Sequence, residues 1–173
     1  WHIRVIWWSS VGSGRCVCVN NVCHNQKEVK NMLRAVSFVG NYAEKVFLHL
    51  MYLTGITEHE WYVDDVEFNY VYFREGRYSG YELKNALEDL SRLSFARIRR
   101  YPLKTDIDTI DEYKDYVESE CDSLLLFYDG GYFEFYSKDV DTLHTIFKFG
   151  VENGFERIEY VDDANDVRTW MHF

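Results

Sequence analysis

The stretch from Ser123 to Ser137 reads Ser-Leu-Leu-Leu-Phe-Tyr (123–128), Asp-Gly-Gly (129–131) and Tyr-Phe-Glu-Phe-Tyr-Ser (132–137). Two runs rich in aliphatic and aromatic residues flank a short segment whose glycines tolerate positive φ angles. This pattern predicts two antiparallel strands joined by a tight turn. A β-hairpin in the C-terminal half is therefore the starting point for interpreting the rest of the chain.

Downstream of the hairpin, the sequence predicts one helix and one strand. Asp139 is suited to cap a helix. Apolar residues follow it at helical spacing, namely Val140, Leu143, Ile146, Phe147 and Val151. Gly154 stands where a residue in the left-handed conformation often ends a helix. Phe155 to Val161 then predicts a strand, and we expect the tail from Val167 to Phe173 to pair again.

Upstream, two capping boxes predict two more helices. In a capping box, a Ser or Thr and a Glu three residues later satisfy two free backbone N–H groups of the first helical turn. Ser79-x-x-Glu82 is one such box. Thr109-x-x-Glu112 is the other, and its helix is expected to run to about Glu120. Phe95 to Tyr101 predicts a strand between them.

The segment after Met32 completes the predicted fold. Leu33 to Val39 predicts a strand, and Tyr42 to Leu53 predicts a helix with one apolar stripe. Trp61 to Val63 and Val66 to Phe73 predict two further strands. The order of elements indicates an α+β fold with a mainly antiparallel or mixed sheet and about four helices packed mostly on one side. We expect residues 32–173 to form a single domain.

Residues 1–31 differ in composition from the rest, since they hold three of the four cysteines and three of the five tryptophans. Lys27-Glu28-Val29 can be encoded as AAG GAG GUG, which contains a ribosome-binding purine run shortly before Met32. We therefore expect translation to begin at Met32, and residues 1–31 to be an untranslated leader or a non-native extension.

Zinc binding is an alternative for this segment, because it contains the ligand types that zinc takes, at Cys16, Cys18, Cys23 and His24. Their spacing lacks a paired Cys-x2-Cys motif, so no metal site is assigned. The remaining Cys121 stands alone, and no signal peptide with a small-residue cleavage site is recognisable. A reduced cytoplasm is therefore the expected compartment.

The charge balance is acidic, with 19 Lys and Arg against 29 Asp and Glu, a formal net charge of −10. Omitting residues 1–31 removes four basic residues and one acidic residue, which brings the net charge to −13. This balance argues against nucleic acid as a partner, because phosphate binding depends on clustered Lys and Arg. No apolar run approaches the roughly 20 residues of a membrane span.

Two acidic groups are candidate partner-binding sites. The first, on a predicted turn, comprises Asp162, Asp163 and Asp166. The second, at the end of the third predicted helix, comprises Glu118, Glu120 and Asp122. A hard-cation site is an alternative for the turn, but it lacks the Gly and distal Glu of a calcium loop. A solvated turn, in which Asp and Asn bond their own backbone, is the other interpretation.

The basic residues Arg97, Arg99 and Arg100 form a candidate anion site on a predicted strand. Arg97 and Arg99 share one face, so their guanidinium groups are able to converge on one phosphate. The alternative is that they pair with the surplus carboxylates of the chain. Catalysis has little support, because no nucleophile elbow, His-Glu-x-x-His motif or phosphate-binding loop is present, and no cofactor is implied. We therefore expect replacement of His49, His59 or His144 to abolish no chemical step.

Three segments of the C-terminal half are distinctive, namely Tyr113 to Tyr128, Tyr132 to Asp139 and Asn153 to Thr169. Together they resemble domain of unknown function family 2691, a group of small proteins from spore-forming Gram-positive bacteria. Weaker similarity lies at Arg34 to Phe38 and at Glu60-Trp61. The resemblance covers residues 32–173 and omits residues 1–31. It implies no activity and no functional residues.

Two functions remain open on the sequence. The first is a small acidic cytoplasmic module that binds or regulates a basic protein partner, supported by the net charge and by the many aromatic residues, which are favoured at interfaces. The second is a domain that binds, or hydrolyses, a phosphate or nucleotide ligand through the Arg97 and Arg99 strand.

Overall fold

The computed structural model describes residues 17–19, 22–24, 32–40, 43–68, 74–88, 93–128 and 131–172. The chain divides into two compact units, Trp1–Asn31 and Met32–Phe173. In the first unit, Val17–Val19 (β1) pairs with Val22–His24 (β2) as an antiparallel hairpin. Cys16, one of the possible zinc ligands, lies outside the described residues.

The second unit is built on an antiparallel sheet of seven described strands. They are Leu33–Val39 (β3), Glu60–Phe68 (β4), Gly76–Ser79 (β5), Leu93–Tyr101 (β6), Ser123–Tyr128 (β7), Tyr132–Ser137 (β8) and Glu156–Asp162 (β9). Their spatial order is β5-β4-β6-β7-β8-β3-β9. The predicted hairpin is confirmed as β7 and β8 at the middle of the sheet, although Asp129 and Gly130 of its turn lie outside the described residues.

The described helices are Ala43–Leu53 (α1), Gly80–Glu88 (α2), Tyr113–Glu118 (α3) and Val140–Glu152 (α4), with a short 3-10 turn at Ile56–Glu58. The α+β class and the antiparallel sheet are therefore confirmed. Within the described ranges, none of the helices combines the length and the apolar character required to cross a membrane.

Both faces of the sheet are covered, because β7 is buried on both sides. Leu125 and Phe127 belong to a first cluster with apolar residues of α1, α2 and α4. Leu124 and Leu126 alternate with them and belong to a second cluster. The second cluster also contains Tyr116 of α3, together with Tyr101, Ile110, Cys121, Tyr136 and Met171. Apolar residues of α1, α2 and α4 thus contribute to the first cluster, and α3, the segment before it and the C-terminal tail contribute to the second.

The predicted capping boxes have different outcomes. Ser79 and Glu82 form theirs: the Glu82 carboxylate accepts the Ser79 N–H at 2.8 Å, and the Ser79 hydroxyl accepts the Glu82 N–H at 3.3 Å. The prediction that Thr109 opens the third helix is wrong. Glu112 is the cap of α3, and it forms a capping box with Asp115. The helix is therefore capped three residues later than expected, and it ends at Glu118.

Strand β4 also corrects the sequence interpretation. The two strands predicted at residues 61–63 and 66–73 are one strand up to Phe68, and residues 69–73 lie outside the described part of the chain. The pairing register with β6 shifts between Asp64 and Glu67, and Asp65 takes a positive φ of 47°. This irregularity is a β-bulge, which Asp tolerates better than most residues.

Candidate functional site

A cleft of about 480 Å³ opens on the sheet face that carries the second cluster. Side chains of β3, β8 and β9 line it on one side, and the C-terminal tail lines it on the other. The lining residues are Ser37, Glu134, Tyr136, Glu159, Val161, Asn165, Asp166, Val167, Arg168, Thr169 and Trp170. Small-molecule and side-chain pockets usually measure about 300–1,000 Å³, so this cleft is large enough to hold a ligand.

The sheet register forms the floor of the cleft. Ser37 of β3 is directly paired with Glu134 of β8 on one side and with Glu159 of β9 on the other. Neighbouring strands lie about 4.8 Å apart, so the three side chains form one row across the sheet. The Ser37 hydroxyl donates to the Glu159 carboxylate at 3.4 Å.

Glu134 is held by several donors at once. Arg168 donates to its carboxylate through Nε at 2.8 Å and through Nη2 at 3.2 Å. The Tyr128 hydroxyl donates to it at 2.7 Å, and the Tyr136 hydroxyl is 3.4 Å away. Burial and the hydrogen bond to Glu134 raise the pKa of Tyr128 to about 12. Burial is the largest single influence on the pKa of Arg168 and lowers it, but the interactions with Glu134, Tyr136 and Tyr128 together outweigh burial, and the net shift is upward.

The C-terminal tail is fixed across this face by backbone contacts. The Arg97 guanidinium donates to the Met171 carbonyl at 3.0 Å, and the Met171 N–H donates to the Asp111 carbonyl at 2.8 Å. The predicted pairing of the tail is limited to an isolated bridge between Trp170 and Glu112. Met171 is fully buried, whereas Trp170 remains 55% exposed at the cleft. The backbone of the tail is therefore fixed, while the Trp170 side chain remains accessible at the cleft.

Arg97 and Arg99 do converge on one carboxylate, and that carboxylate belongs to the chain itself. Asp64 of β4 lies 2.6 Å from Arg97 Nη2 and 2.7 Å from Arg99 Nη2. Arg97 also donates to the Ile110 carbonyl at 2.8 Å, and Arg99 donates to the Asp108 carbonyl at 2.6 Å. Both arginines are buried. The geometry therefore matches the pairing interpretation.

Arg100 lies on the opposite face of β6, as strand alternation predicts. It donates to the Asp122 carboxylate at 2.6 Å and to the Thr54 carbonyl at 2.6 Å. His59 Nε2 lies 3.8 Å from the other oxygen of Asp122. Asp122, a candidate partner-binding residue, is therefore engaged within the domain. Glu118 and Glu120 are exposed, and neither forms an ion pair with another described residue.

The acidic turn is also engaged with its own chain. Asp162 accepts the backbone N–H groups of Ala164 and Asn165 at 2.8 and 3.1 Å, which is the Asx-turn interpretation. Asp163 pairs with Arg34 at 2.6 Å, and this bond holds the pKa of the Asp163 carboxyl below its usual value. Asp166, with 4% of its side chain exposed, also reaches Arg34, at 3.3 Å.

Candidate metal and catalytic groups are sparse in the described part of the chain. No group of three or more His, Cys, Asp or Glu side chains is arranged there to hold a metal ion. Cys121 is fully buried and free, and burial raises the pKa of its thiol to about 12. His144 Nδ1 lies 2.9 Å from the Tyr160 hydroxyl, and His59 Nδ1 lies 2.9 Å from the Gly55 carbonyl.

The cleft was missed by sequence reasoning, because its walls come from segments far apart in the chain. The floor combines residues 37, 134 and 159, which only the strand order brings into one row. One local signal was available: Glu134 interrupts the aromatic run of β8 at an interior position of a central hairpin. A charged residue there requires a partner, but the sequence does not identify Arg168 as that partner.

Comparison with known proteins supports the resemblance carried by Tyr113 to Thr169. A stretch of 75 residues is 24% identical to the uncharacterized protein YncE of Bacillus subtilis (strain 168), and it covers 43% of this chain and 49% of that protein. The match therefore spans about half the length of this relative. No solved structure matches the chain. A family model described as "Protein of unknown function (DUF2691)" matches residues 33–172, and the chain therefore belongs to the DUF2691 family.

Proposed function

We propose that this protein is an acidic binding module that docks a basic protein partner, and that the cleft on the second face of the sheet is its contact site. The observation that carries the proposal is the composition of the cleft. Three carboxylates line it, from Glu134, Glu159 and Asp166, against one guanidinium, from Arg168. A concave surface with excess negative charge focuses the field and attracts cationic groups.

Exposed apolar side chains support an interface at the same place. Val167 is 94% exposed and Trp170 is 55% exposed, and both line the cleft. Tryptophan is over-represented among the residues that dominate binding energy at protein interfaces. A partner that covers Val167 and Trp170 removes both side chains from water, while its basic groups pair with the carboxylates of the cleft.

The acidic candidates from the sequence take different parts in this proposal. Asp162, Asp163, Asp166 and Asp122 contribute to the long-range field, but their short-range bonds are made within the domain. Glu118 and Glu120 are exposed and are the better direct contacts of the six. We also propose that the protein works in the reducing cytoplasm, which suits a buried Cys121 that remains unpaired.

Affinity capture from a native host tests the proposal. The tagged protein is compared with a Glu159→Gln/Trp170→Ala variant and with a Glu156→Gln/Tyr81→Ala variant as matched control, because Glu156 and Tyr81 are exposed outside the cleft. We expect the wild type and the control to retain a basic protein that the cleft variant loses. Retention should weaken as salt rises from about 0.05 to about 0.5 M, because screening shortens the range of the attraction. Equal capture by all three proteins, or a partner without excess basic residues, contradicts the proposal.

A further inference from the structure

Glu159 differs from the other two carboxylates of the cleft in having no cationic partner among the described residues. Glu134 is paired with Arg168, and Asp166 is paired with Arg34 and accepts the Arg168 backbone N–H at 2.8 Å. Glu159 is exposed, and the side-chain hydrogen bond that it receives from the described residues is the long one from Ser37. The cleft therefore contains one carboxylate whose charge is not neutralised by a neighbouring guanidinium or ammonium group of the described chain.

Trp170 supplies an aromatic surface to the same cleft. Its backbone is fixed by the bridge to Glu112, and the next residue, Met171, is anchored in the second cluster. The Trp170 indole thus extends from a backbone segment that is already fixed. Binding a partner therefore costs little conformational entropy at this residue. Carboxylate and indole together are the elements that recognise a planar cation.

We propose that the cleft binds one arginine side chain of the partner, with its guanidinium on Glu159 and its plane against Trp170. This inference rests on the proposed docking function and specifies the contact. Arginine fits better than lysine, because a planar guanidinium stacks on an indole and also donates two parallel hydrogen bonds to a carboxylate. Arg168 does not repel the incoming cation strongly, since its own charge is balanced by Glu134.

A small probe tests the contact without the partner. N-acetyl-arginine methylamide is titrated into the full chain, and the indole N–H resonances are followed by NMR. Trp61 serves as the internal reference, because its indole donates to the Ile56 carbonyl at 2.8 Å within the first cluster, away from the cleft. We expect the Trp170 resonance to shift with saturation while the Trp61 resonance stays in place. The citrulline analogue, which is isosteric but neutral, should bind at least about tenfold more weakly.

Two variants and one control complete the test, and for these proteins the resonances of the arginine probe itself are followed, because Trp170→Ala lacks the reporting indole. Glu159→Gln should weaken arginine binding about tenfold, and Trp170→Ala should weaken it by a factor of about 2–5, as loss of an exposed cation–π contact predicts. Glu156→Gln is the control, because it removes the same charge from the same strand outside the cleft lining. It should leave the affinity for arginine within about twofold of the wild type, since a change in the long-range electrostatic field alone has a small effect. An unchanged Trp61 resonance in each variant demonstrates that the fold is retained.

The outcomes separate this inference from the proposed function. If arginine and citrulline bind equally, or if Glu159→Gln binds as the wild type does, the arginine assignment is wrong. If the Glu159→Gln/Trp170→Ala variant loses its basic partner but the arginine probe does not bind the wild type, the docking function is supported and the arginine contact is wrong. Binding of the probe together with equal partner capture by all variants overturns the docking function and leaves the arginine site.

Discussion

Arg168 donates two hydrogen bonds to the Glu134 carboxylate, from Nε at 2.8 Å to one oxygen and from Nη2 at 3.2 Å to the other. Arg168 belongs to the C-terminal tail and Glu134 to the central strand β8. Their side chains are only 26% and 16% exposed, so the pair is partly shielded from water. The contact therefore ties the wall of the cleft to its floor, and it links the geometry of the candidate site to the stability of the tail.

Replacing Glu134 by Gln should lower the free energy of unfolding by about 1–3 kcal/mol, because the hydrogen-bond network loses its negative charge and one of its two acceptor oxygens, and Arg168 keeps an uncompensated charge. Arg168→Gln should cost a similar amount. The double variant should lose less than the sum of the two, and urea denaturation of all four proteins measures the coupling. Strict additivity within error contradicts a direct interaction between them.

The pairing of Asp64 with two buried arginines predicts a larger effect. Asp64→Asn leaves the guanidinium groups of Arg97 and Arg99 without their shared charge, and loss of one partner from a buried ion pair costs about 3–5 kcal/mol. Asp65→Asn is the control, since Asp65 is 34% exposed and Arg97, at 3.4 Å, is its one ionic partner among the described residues. It should cost about 1 kcal/mol or less. Thermal and urea unfolding rank the two variants, and a reversed ranking contradicts the assignment.

Local patterns in the sequence predicted most of the strands and helices. Ser79 with Glu82 capped a helix as expected, and the hairpin and its following helix were correctly placed. The predicted cap at Thr109 does not form, because the adjacent Ile110 is buried in the second cluster and the Ile110 carbonyl accepts a hydrogen bond from Arg97. A capping pattern does not reveal a competing tertiary contact.

Strand β5 was missed for a different reason. Gly76 to Ser79 is only four residues long, and its apolar content is low, so no alternating pattern identifies it. It forms by pairing with Glu60 to Val63 at the edge of the sheet. The candidate site was missed for the same kind of reason, because the row of Ser37, Glu134 and Glu159 exists only once the strand order is known.

Close backbone packing at Gly80 predicts a strong effect of a single methyl group. A Cβ at this position would lie 1.7 Å from the Ile56 carbonyl oxygen, so the first turn of α2 would have to move away from the 3-10 turn. Gly80→Ala should therefore destabilise the fold by about 1–3 kcal/mol or more. Gly154→Ala is the comparison, because its Cβ would meet no neighbour but its φ is 69°, which costs about 1 kcal/mol. Equal loss of stability in the two variants contradicts the packing argument.

Burial of Cys121 predicts slow alkylation. Its thiol is fully buried, donates to the Ser123 carbonyl at 3.2 Å, and has a pKa raised by burial to about 12. Reaction with iodoacetamide at about pH 8 requires the thiolate, so the native protein should be modified at Cys121 at least roughly a hundredfold more slowly than the unfolded protein. Mass spectrometry of the peptide that contains Cys121 follows this reaction. Rapid labelling of Cys121 in the native protein contradicts the burial of its thiol.

The cap of α4 predicts a defined acid dependence of stability. The Asp139 carboxylate accepts the Thr142 hydroxyl at 2.6 Å and the backbone N–H groups of Asp141 and Thr142, and these bonds lower its pKa, the Thr142 hydroxyl most of all. A carboxyl with a lowered folded pKa stabilises the fold above its unfolded pKa of about 3.9, and this contribution is lost as the pH falls through the folded value.

Asp139→Ala should therefore destabilise the protein by about 1 kcal/mol near neutral pH, and this difference should shrink as the pH falls from about 6 to about 2.5. Asp139→Asn retains an oxygen acceptor but does not titrate, so it should be closer to the wild type and converge on it in acid. Thr142→Val removes the strongest bond to the carboxylate and should flatten the acid dependence. Urea titrations at each pH measure all four proteins, and a difference between the wild type and Asp139→Ala that stays constant down to the lowest pH shows that the charge of Asp139 contributes nothing to the cap.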